Sequence, residues 1–424
     1  MNADSDDPRP FVWKPLPLVG GLLAALLLAV LVFLAAERYF LGRADAEVPP
    51  GQPTLTELGA SLRPMARNAA TRRFEELGAA VGIDLVPKTE TGVRPSAELK
   101  QRFDIFKKGA LKEWLDELQA RADDVEVEAP AAVQSFLAEH HEELALLAAH
   151  LREQGSSLEW DLDPKNLFES PLPNLLGILD TAKLLEAAAL EADRRGRGTE
   201  AHDFLDASFR LAESLERRPE VVTFLIAQAL EGMHHVQVRR LRHPEEFAER
   251  LGRQDLLPAF SRTMRFEAFG LRSSKLSSAP AGGWMKAYQD LQLRDTVSRM
   301  DRLALASANL SWDDAQGDRL DAQWKNRAPR WNLMGAAMFP DYSTSLYRIV
   351  RRNLDREVTA LVVRARSLDA VSGEVESRTA TGKKLRLERL DGGRFRVEAL
   401  VGSENPPPGT KPGLPLSFLG SRRD

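Results

Sequence analysis

An uncharged stretch from Leu18 to Ala36, LVGGLLAALLLAVLVFLAA, constrains this chain more than any other feature. As a helix rising 1.5 Å per residue it is about 28 Å long, close to the ~30 Å hydrocarbon core of a bilayer. A charge at mid-bilayer costs roughly 2.5 kcal/mol or more, and the run carries none. Trp13 and Tyr39 flank its ends as interfacial aromatics do. Pro15 and Pro17 suit a helix entry, where the missing N–H costs little. The expectation is a single transmembrane helix over residues 16–36 that inserts in the lipid bilayer, preceded by a short tail (1–15). A cleavable signal peptide fits less well, because its apolar region is shorter. The small-x-small triplet Ala44-Asp45-Ala46 lies well past the run, with Glu37, Arg38 and Arg43 between.

Orientation follows from length. Arg9 and Lys14 precede the run, and Arg38 and Arg43 follow it, so the positive-inside rule does not choose a side. The short leading tail favours a signal anchor in the inner membrane, with the body extracytoplasmic. The chain has no cysteine, which excludes disulfides, thiolate metal sites, thiol nucleophiles and a cysteine-linked lipid anchor. Its formal net charge of −4 comes from basic residues dispersed among acids. A nucleic-acid binder would show a basic stripe instead.

The periodicity after the linker (37–53) is helical. Thr54-Leu55-Thr56-Glu57 has capping-box spacing and predicts a helix from there to about Gly82. A second helical stretch runs from Ser96 to Ala122. A third follows Pro130 and ends near Gly155, with Val133, Phe136, Leu137, Leu144, Leu147, Ala148 and Leu151 on its apolar stripe. Residues 54–155 thus read as an N-terminal helical region and 172–370 as the main bundle, with 156–171 connecting them. In the bundle Leu175, Leu179, Ala182, Leu185 and Ala189 form one stripe, and Ala201, Phe204, Leu205, Ser208, Leu211, Ala212 and Leu215 form the next. Gly196-Arg197-Gly198 breaks the helix between them. The helix from Val221 to Leu241 is apolar on most sides and is expected to be central and buried. Another helix is expected to start at His243-Pro244-Glu245-Glu246, one from Trp284 to about Leu310, and a last long one over Tyr342–Leu368, after a stretch bearing Trp312, Trp324 and Trp331. The period then changes to two. Leu385 and Leu387, then Phe395, Val397, Ala399 and Val401, flank Asp391-Gly392-Gly393 as a β-hairpin within 371–403, with Val375 in a third strand. The proline-rich residues 404–424 read as an extended tail. The fold class is mainly α: a transmembrane helix, a bundle of helical hairpins and a small C-terminal β-hairpin.

No motif assigns chemistry. His140 falls on an apolar stripe and reads as a core histidine; no His-Glu-x-x-His spacing surrounds it, since Ala145 stands where the second ligand is needed. His202, His234, His235 and His243 lie on neighbouring segments, but without the carboxylate–histidine spacing of a metal site. The acidic pairs Asp123-Asp124, Glu142-Glu143 and Asp313-Asp314 read as solvated helix ends. Gly-x-Ser-x-Gly is absent, and Gly196-x-Gly198 follows no strand that would make it a phosphate cradle. The basic clusters Arg239-Arg240-Leu241-Arg242-His243 and Arg348, Arg351, Arg352 read as cations at helix C-termini, favoured by the macrodipole. Arg265, Glu267 and Arg272 are expected to pair across one helix face. No catalytic, cofactor or metal residue is assigned.

Three resemblances accompany these residues. LLEAAALEADRRGRGTEAHDFLDASFRLAESL resembles a single tetratricopeptide-type hairpin, with no second copy at the expected period. Thr381-Gly382-Lys383-Lys384-Leu385 and Gly393-Arg394-Phe395 resemble the end of pseudopilin-like proteins, although Leu400 replaces the serine expected before Val401-Gly402-Ser403. Pro15-Leu16-Pro17-Leu18 is no prepilin signature. The order of parts resembles a group of uncharacterised membrane-anchored helical envelope proteins of planctomycete-type bacteria, which implies an envelope location and no activity. The function expected is a tethered extracytoplasmic scaffold that binds an envelope protein, with a secretion or pilus-like assembly component and an envelope hydrolase as alternatives.

Overall fold

The computed structural model describes residues 53–121, 123, 125–252, 256–273, 284–316, 342–366, 371–402 and 416–421, together with Leu28, Leu31, Val32 and Ala35. Those four are helical and exposed; the rest of the segment expected to cross the membrane lies outside the described residues. Among the described residues no helix is long and apolar enough to cross a membrane. The chain divides into Met1–Thr54 and Leu55–Asp424, and the second unit holds the body.

The body is mainly helical with a small C-terminal antiparallel sheet. Its helices are α1 (Leu55–Ser61), α2 (Ala69–Ala80), α3 (Ala97–Phe106), α4 (Lys112–Ala120), α5 (Ala131–Glu139), α6 (His141–Gln154), α7 (Leu175–Arg194), α8 (Gly198–Leu215), α9 (Val221–Arg240), α10 (Ala248–Gly252), α11 (Leu256–Ser273), α12 (Trp284–Ser307) and α13 (Tyr342–Arg366). Two helices expected to be continuous are broken. Pro64 divides the first, since it lacks an N–H and bars the preceding residue from helical geometry. The chain re-enters at Asn68, whose Oδ1 accepts the Thr71 N–H at 2.9 Å as an N-cap. The third expected helix parts at His140, which sits at φ −106°, ψ 22° between α5 and α6. A short 3₁₀ turn, Glu245–Phe247, and the five-residue α10 stand where a fuller helix was expected after Pro244. Trp312 is buried, while Trp324 and Trp331 lie outside the described residues.

The α7–α8 hairpin has the predicted stripes. Ala182, Leu185, Ala189, Ala201, Leu205 and Ala212 are all essentially inaccessible, and the small alanines let the two backbones approach. The reversal uses Gly196 at φ +75°, a left-handed position that glycine takes without cost.

Two hydrophobic cores result. One gathers α2 to α9 around Phe74, Leu111, Leu144, Leu185 and Leu205. The other gathers α1, α11, α12, α13 and the sheet around Phe260, Met264, Trp312, Leu346 and Phe395. Helix α9 belongs to both, giving Ala227, Leu230 and Val238 to the first and Val221 and Phe224 to the second. It is central and buried as expected, but not apolar. Glu231, His234, His235, Gln237, Arg239 and Arg240 are buried along it.

The expected hairpin is part of a four-stranded sheet of order β1-β2-β3-β4: β1 (Gly373–Glu376), β2 (Lys384–Arg389), β3 (Arg394–Leu400) and β4 (Ser417–Ser421). Val375 lies in β1, and Asp391-Gly392-Gly393 makes the β2–β3 turn. β4 falls in the segment read as an extended tail. Its residues, Ser-Phe-Leu-Gly-Ser, include no proline, and Leu416 and Phe418 pack on the second core.

One carboxylate fastens this sheet to α13. Glu357 accepts the Ser377 hydroxyl at 2.8 Å, the Arg378 N–H at 3.1 Å, the Thr379 N–H at 2.9 Å and the Thr379 hydroxyl at 2.6 Å. Bonds to a charged acceptor contribute roughly 1.5–3 kcal/mol each before mutual compensation. Glu357→Gln turns an amide donor toward donors. It is expected to lower urea stability by about 2–4 kcal/mol and to speed exchange of the Arg378 and Thr379 amides. Unchanged exchange at those two amides would refute the clamp.

Candidate functional site

The charges on α9 meet those on α13 at helical spacing. Glu231, His235 and Arg239 recur every four residues, as do Arg352, Arg356 and, one turn on, Ala360 beside Thr359. Arg356 donates to Glu231 at 2.8 Å. Asp355 lies 3.1 Å from His235 Nδ1 and accepts from Arg239 at 3.1 Å. Arg239 also donates to the Thr359 hydroxyl at 2.6 Å and to Asp123 at 2.5 Å. Arg366 donates to the carbonyls of Arg239 and Leu241, closing the seam at the α9 C-terminus. Arg239 and Arg240 do sit in the last turn, as the basic cluster predicted, but they act on other elements. Arg240 binds carbonyls of Leu118, Arg121 and Val125 in the segment leaving α4.

Burial disfavours the Asp355 carboxylate, yet Arg239, His235 and Arg352 outweigh it and hold its pKa far below the ordinary range. Glu186 behaves oppositely. It is fully buried on α7, and burial pushes its pKa well above the usual value, with only Gln237 and Lys183 opposing. Burial likewise pushes His234 well down, helped by His235, Arg250 and Arg352. Glu186 and His234 face each other 3.5 Å apart, and burial disfavours the charged form of both.

Ser208 Oγ lies 2.9 Å from His234 Nε2, so serine, histidine and acid come together. The wiring is not that of a catalytic triad, which places nucleophile and acid on different ring nitrogens. Here both neighbours lie on Nε2, while Nδ1 has no hydrogen-bond partner and Ser208 is fully buried.

The remaining sequence candidates are dispersed. His202 reaches Glu246 at 2.9 Å, away from the His234 pair, and no group of three or more metal-ligating side chains occurs among the described residues. His140 is buried against the Phe136 ring, with its Nε2 unpartnered. Asp123 is a structural anchor for Arg239 rather than a solvated helix end. Arg265 pairs with Asp301 on α12 at 2.6 Å and Glu267 accepts the Val221 N–H at 2.8 Å, so the pairing expected along one face of α11 links other helices instead. A 470 Å³ polar pocket at the α7–α8 turn is spanned by its own ion pairs, His141–Glu200 at 2.7 Å and Arg197–Glu200 at 2.6 Å.

Beside the seam opens a cleft of about 780 Å³, walled by residues 107–121, α7, α9, α13 and β4. Its floor is apolar: Ala229, Met233 and Val236 from α9, Leu111 and Leu115 opposite, and Phe418 from β4. Cationic side chains on its walls outnumber acidic ones by eight to five. Most of the acids are engaged, Asp180 by Lys107 at 2.7 Å, Asp116 by Lys112, and Asp123 and Asp355 by Arg239. Lys108 and Lys183 make no hydrogen bond or ion pair among the described residues.

Two local irregularities shape this cleft. A π-turn at Lys107–Leu111, with Gly109 at φ −99°, ψ −108°, joins α3 to α4 and carries two of the three lysines of that wall, Lys107 and Lys108. Such turns recur at functional sites. On α9, Gly232 seats Arg352. A Cβ there would lie 2.0 Å from the guanidinium carbon, so the guanidinium lies directly on the helix backbone. Burial in this seat lowers the Arg352 pKa, with Asp355 and Glu231 partly compensating. Among the described residues it donates to Asp355, at a long 3.4 Å.

The two buried acids carry opposite pH signs. The folded pKa of Asp355 is depressed, so its contribution is full above the ordinary carboxylate range and lost as pH falls through the folded value. That of Glu186 is raised, so its contribution is full below the ordinary value and lost as pH rises toward the folded one. Asp355→Asn is expected to cost about 3–5 kcal/mol at pH 7, because it leaves Arg239 with the Asp123 carboxylate alone and takes the carboxylate from beside Arg352. Glu186→Gln is expected to gain on wild type as pH rises from 4 to 8. Urea titrations at both pH values check this, and equal effects of the two substitutions would contradict the assignment. Comparison with known protein families, curated proteins and solved structures returns no match to this chain.

Proposed function

We propose that this chain is a membrane-tethered, extracytoplasmic helical interaction module whose ligand surface is the cleft beside α9. The observation that carries the binding reading is the cleft's composition. An apolar lining under an excess of cations, with Lys108 and Lys183 in no ion pair among the described residues, is what a binding surface presents, and a volume of about 780 Å³ falls in the range of ligand sites. Of the buried serine–histidine–glutamate group only Glu186 borders this surface, while Ser208 and His234 are fully buried behind it. The uncharged run over residues 16–36 supplies the tether, and tethering raises the local concentration of the body near its partners.

The test is site-specific photo-crosslinking in the native envelope. A benzophenone side chain at Val236, on the cleft floor, should give a discrete adduct. The same group at Ile105, which is exposed outside the cleft, should not. Ala229→Trp, which fills the floor, should remove the adduct. Equal adducts from both positions, or an adduct untouched by the filling substitution, would overturn the reading.

A further inference from the structure

Among the described residues β4 is an edge strand, bonded to β3 on one side only. The register identifies which backbone groups are spare. Ala399 donates to the Leu416 carbonyl at 2.9 Å, and Val397 and Phe395 oppose Phe418 and Gly420. Antiparallel pairs alternate between bonded and non-bonded positions. Leu416, Phe418 and Gly420 therefore spend their N–H and C=O groups on β3, while Ser417 and Leu419 point theirs outward. Both of these residues line the cleft. Side chains of both parities, Phe418 and Leu419, also line it, so the cleft runs along the edge of the strand rather than over one face. Among the described residues nothing bonds to the outward groups of Ser417 and Leu419.

We propose that the occupant of the cleft is an extended acidic peptide segment of a partner protein, which joins β4 as a fifth strand. The proposal rests on the binding reading above and names its ligand. An open edge offers donors and acceptors in alternation, and another backbone in extended form satisfies both. A phosphate or other compact anion accepts far more than it donates and cannot alternate donors and acceptors along the strand, so it would leave outward carbonyls bare. The charge of the occupant follows from the walls, where Lys108, Lys183 and Arg352 have capacity left while four of the five acids are held in ion pairs and the fifth, Glu186, is fully buried. A strand alternates its side chains, so one set reaches Met233 and Val236 on the floor while the other meets these cations. A second copy of this chain, paired edge to edge, would oppose cation to cation. Arg352 in its seat on Gly232 is the fixed member of the set, held in place before any ligand arrives.

The test uses the full chain in detergent micelles and a capped, fluorescein-labelled Glu-Val-Glu-Val-Glu peptide read by anisotropy. Binding should saturate and weaken with salt. Methylation of alternate peptide nitrogens removes two or so hydrogen bonds and should weaken it at least about tenfold; a Lys-Val-Lys-Val-Lys peptide should lose a similar factor. Lys183→Glu should cost about tenfold as well. Leu419→Pro removes one outward N–H from an edge strand, where proline is tolerated, and should weaken binding while the thermal transition is kept. If Leu419→Pro does not fold, the methylated peptide and Lys183→Glu decide. Equal affinity for the methylated peptide would overturn strand addition and leave the cleft reading standing. Saturation by phosphatidylserine vesicles with no peptide binding would overturn it in favour of a lipid surface. No binding of any probe, with the Val236 adduct intact, would overturn this proposal alone; loss of both would overturn it together with the function proposed above.

Discussion

Everything else in this body hangs on the ionic seam between α9 and α13. The two cores meet along α9, and a helix shared by two cores has little polar surface left over. Asp355 is the pivot of the seam, touching His235 and Arg239 at 3.1 Å and Arg352 at 3.4 Å. Buried pairs of this kind add little net stability against a well-packed apolar alternative. Their effect lies in discrimination. An apolar α9–α13 contact could slide by a turn, but Glu231, His235 and Arg239 accept their partners in one register only. That register fixes where Arg352 crosses Gly232 and so shapes the cleft wall.

Much of the architecture was legible in the residues. The alanine–leucine stripes of α7 and α8, the glycine break between them and the period-two run of β2 and β3 all express one local preference that tertiary contacts reinforce. The centrality of α9 was legible too, from its first half, Val221 to Leu230, where few polar side chains leave no face for water. Its charges were visible but misread. Arg239 and Arg240 looked like cations soothing a helix end, whereas they reach Asp123 and the carbonyls beyond α4, which sequence spacing on one helix cannot reveal. The signal that could have found the seam was Glu231, His235 and Arg239 at intervals of four on an otherwise buried helix, matched by Arg352 and Arg356.

The misses have separate causes. Pro64 and His140 end helices whose apolar stripes continue across the break, so periodicity carried the eye past them. β4 was hidden by its neighbours: five residues behind a run of prolines carry too short an alternation to register as a strand. Its place is set by Leu416 and Phe418 packing on the second core, a non-local contact. The cleft was beyond reach because it is assembled from five separate stretches of chain, and Gly232 gains meaning only beside Arg352.

The seam also has a consequence for how the molecule is made. His235 and Asp355 stand 120 positions apart, and Glu231 and Arg356 stand 125 apart. At a synthesis rate of about 5–20 residues per second, α9 emerges on the order of 10 s before the partners that α13 supplies. During that interval the first core can assemble, but the flank of α9 destined for α13 has only water for company. Until the last long helix arrives, the nascent chain thus carries a charged flank on α9 where the finished body has a dry interior.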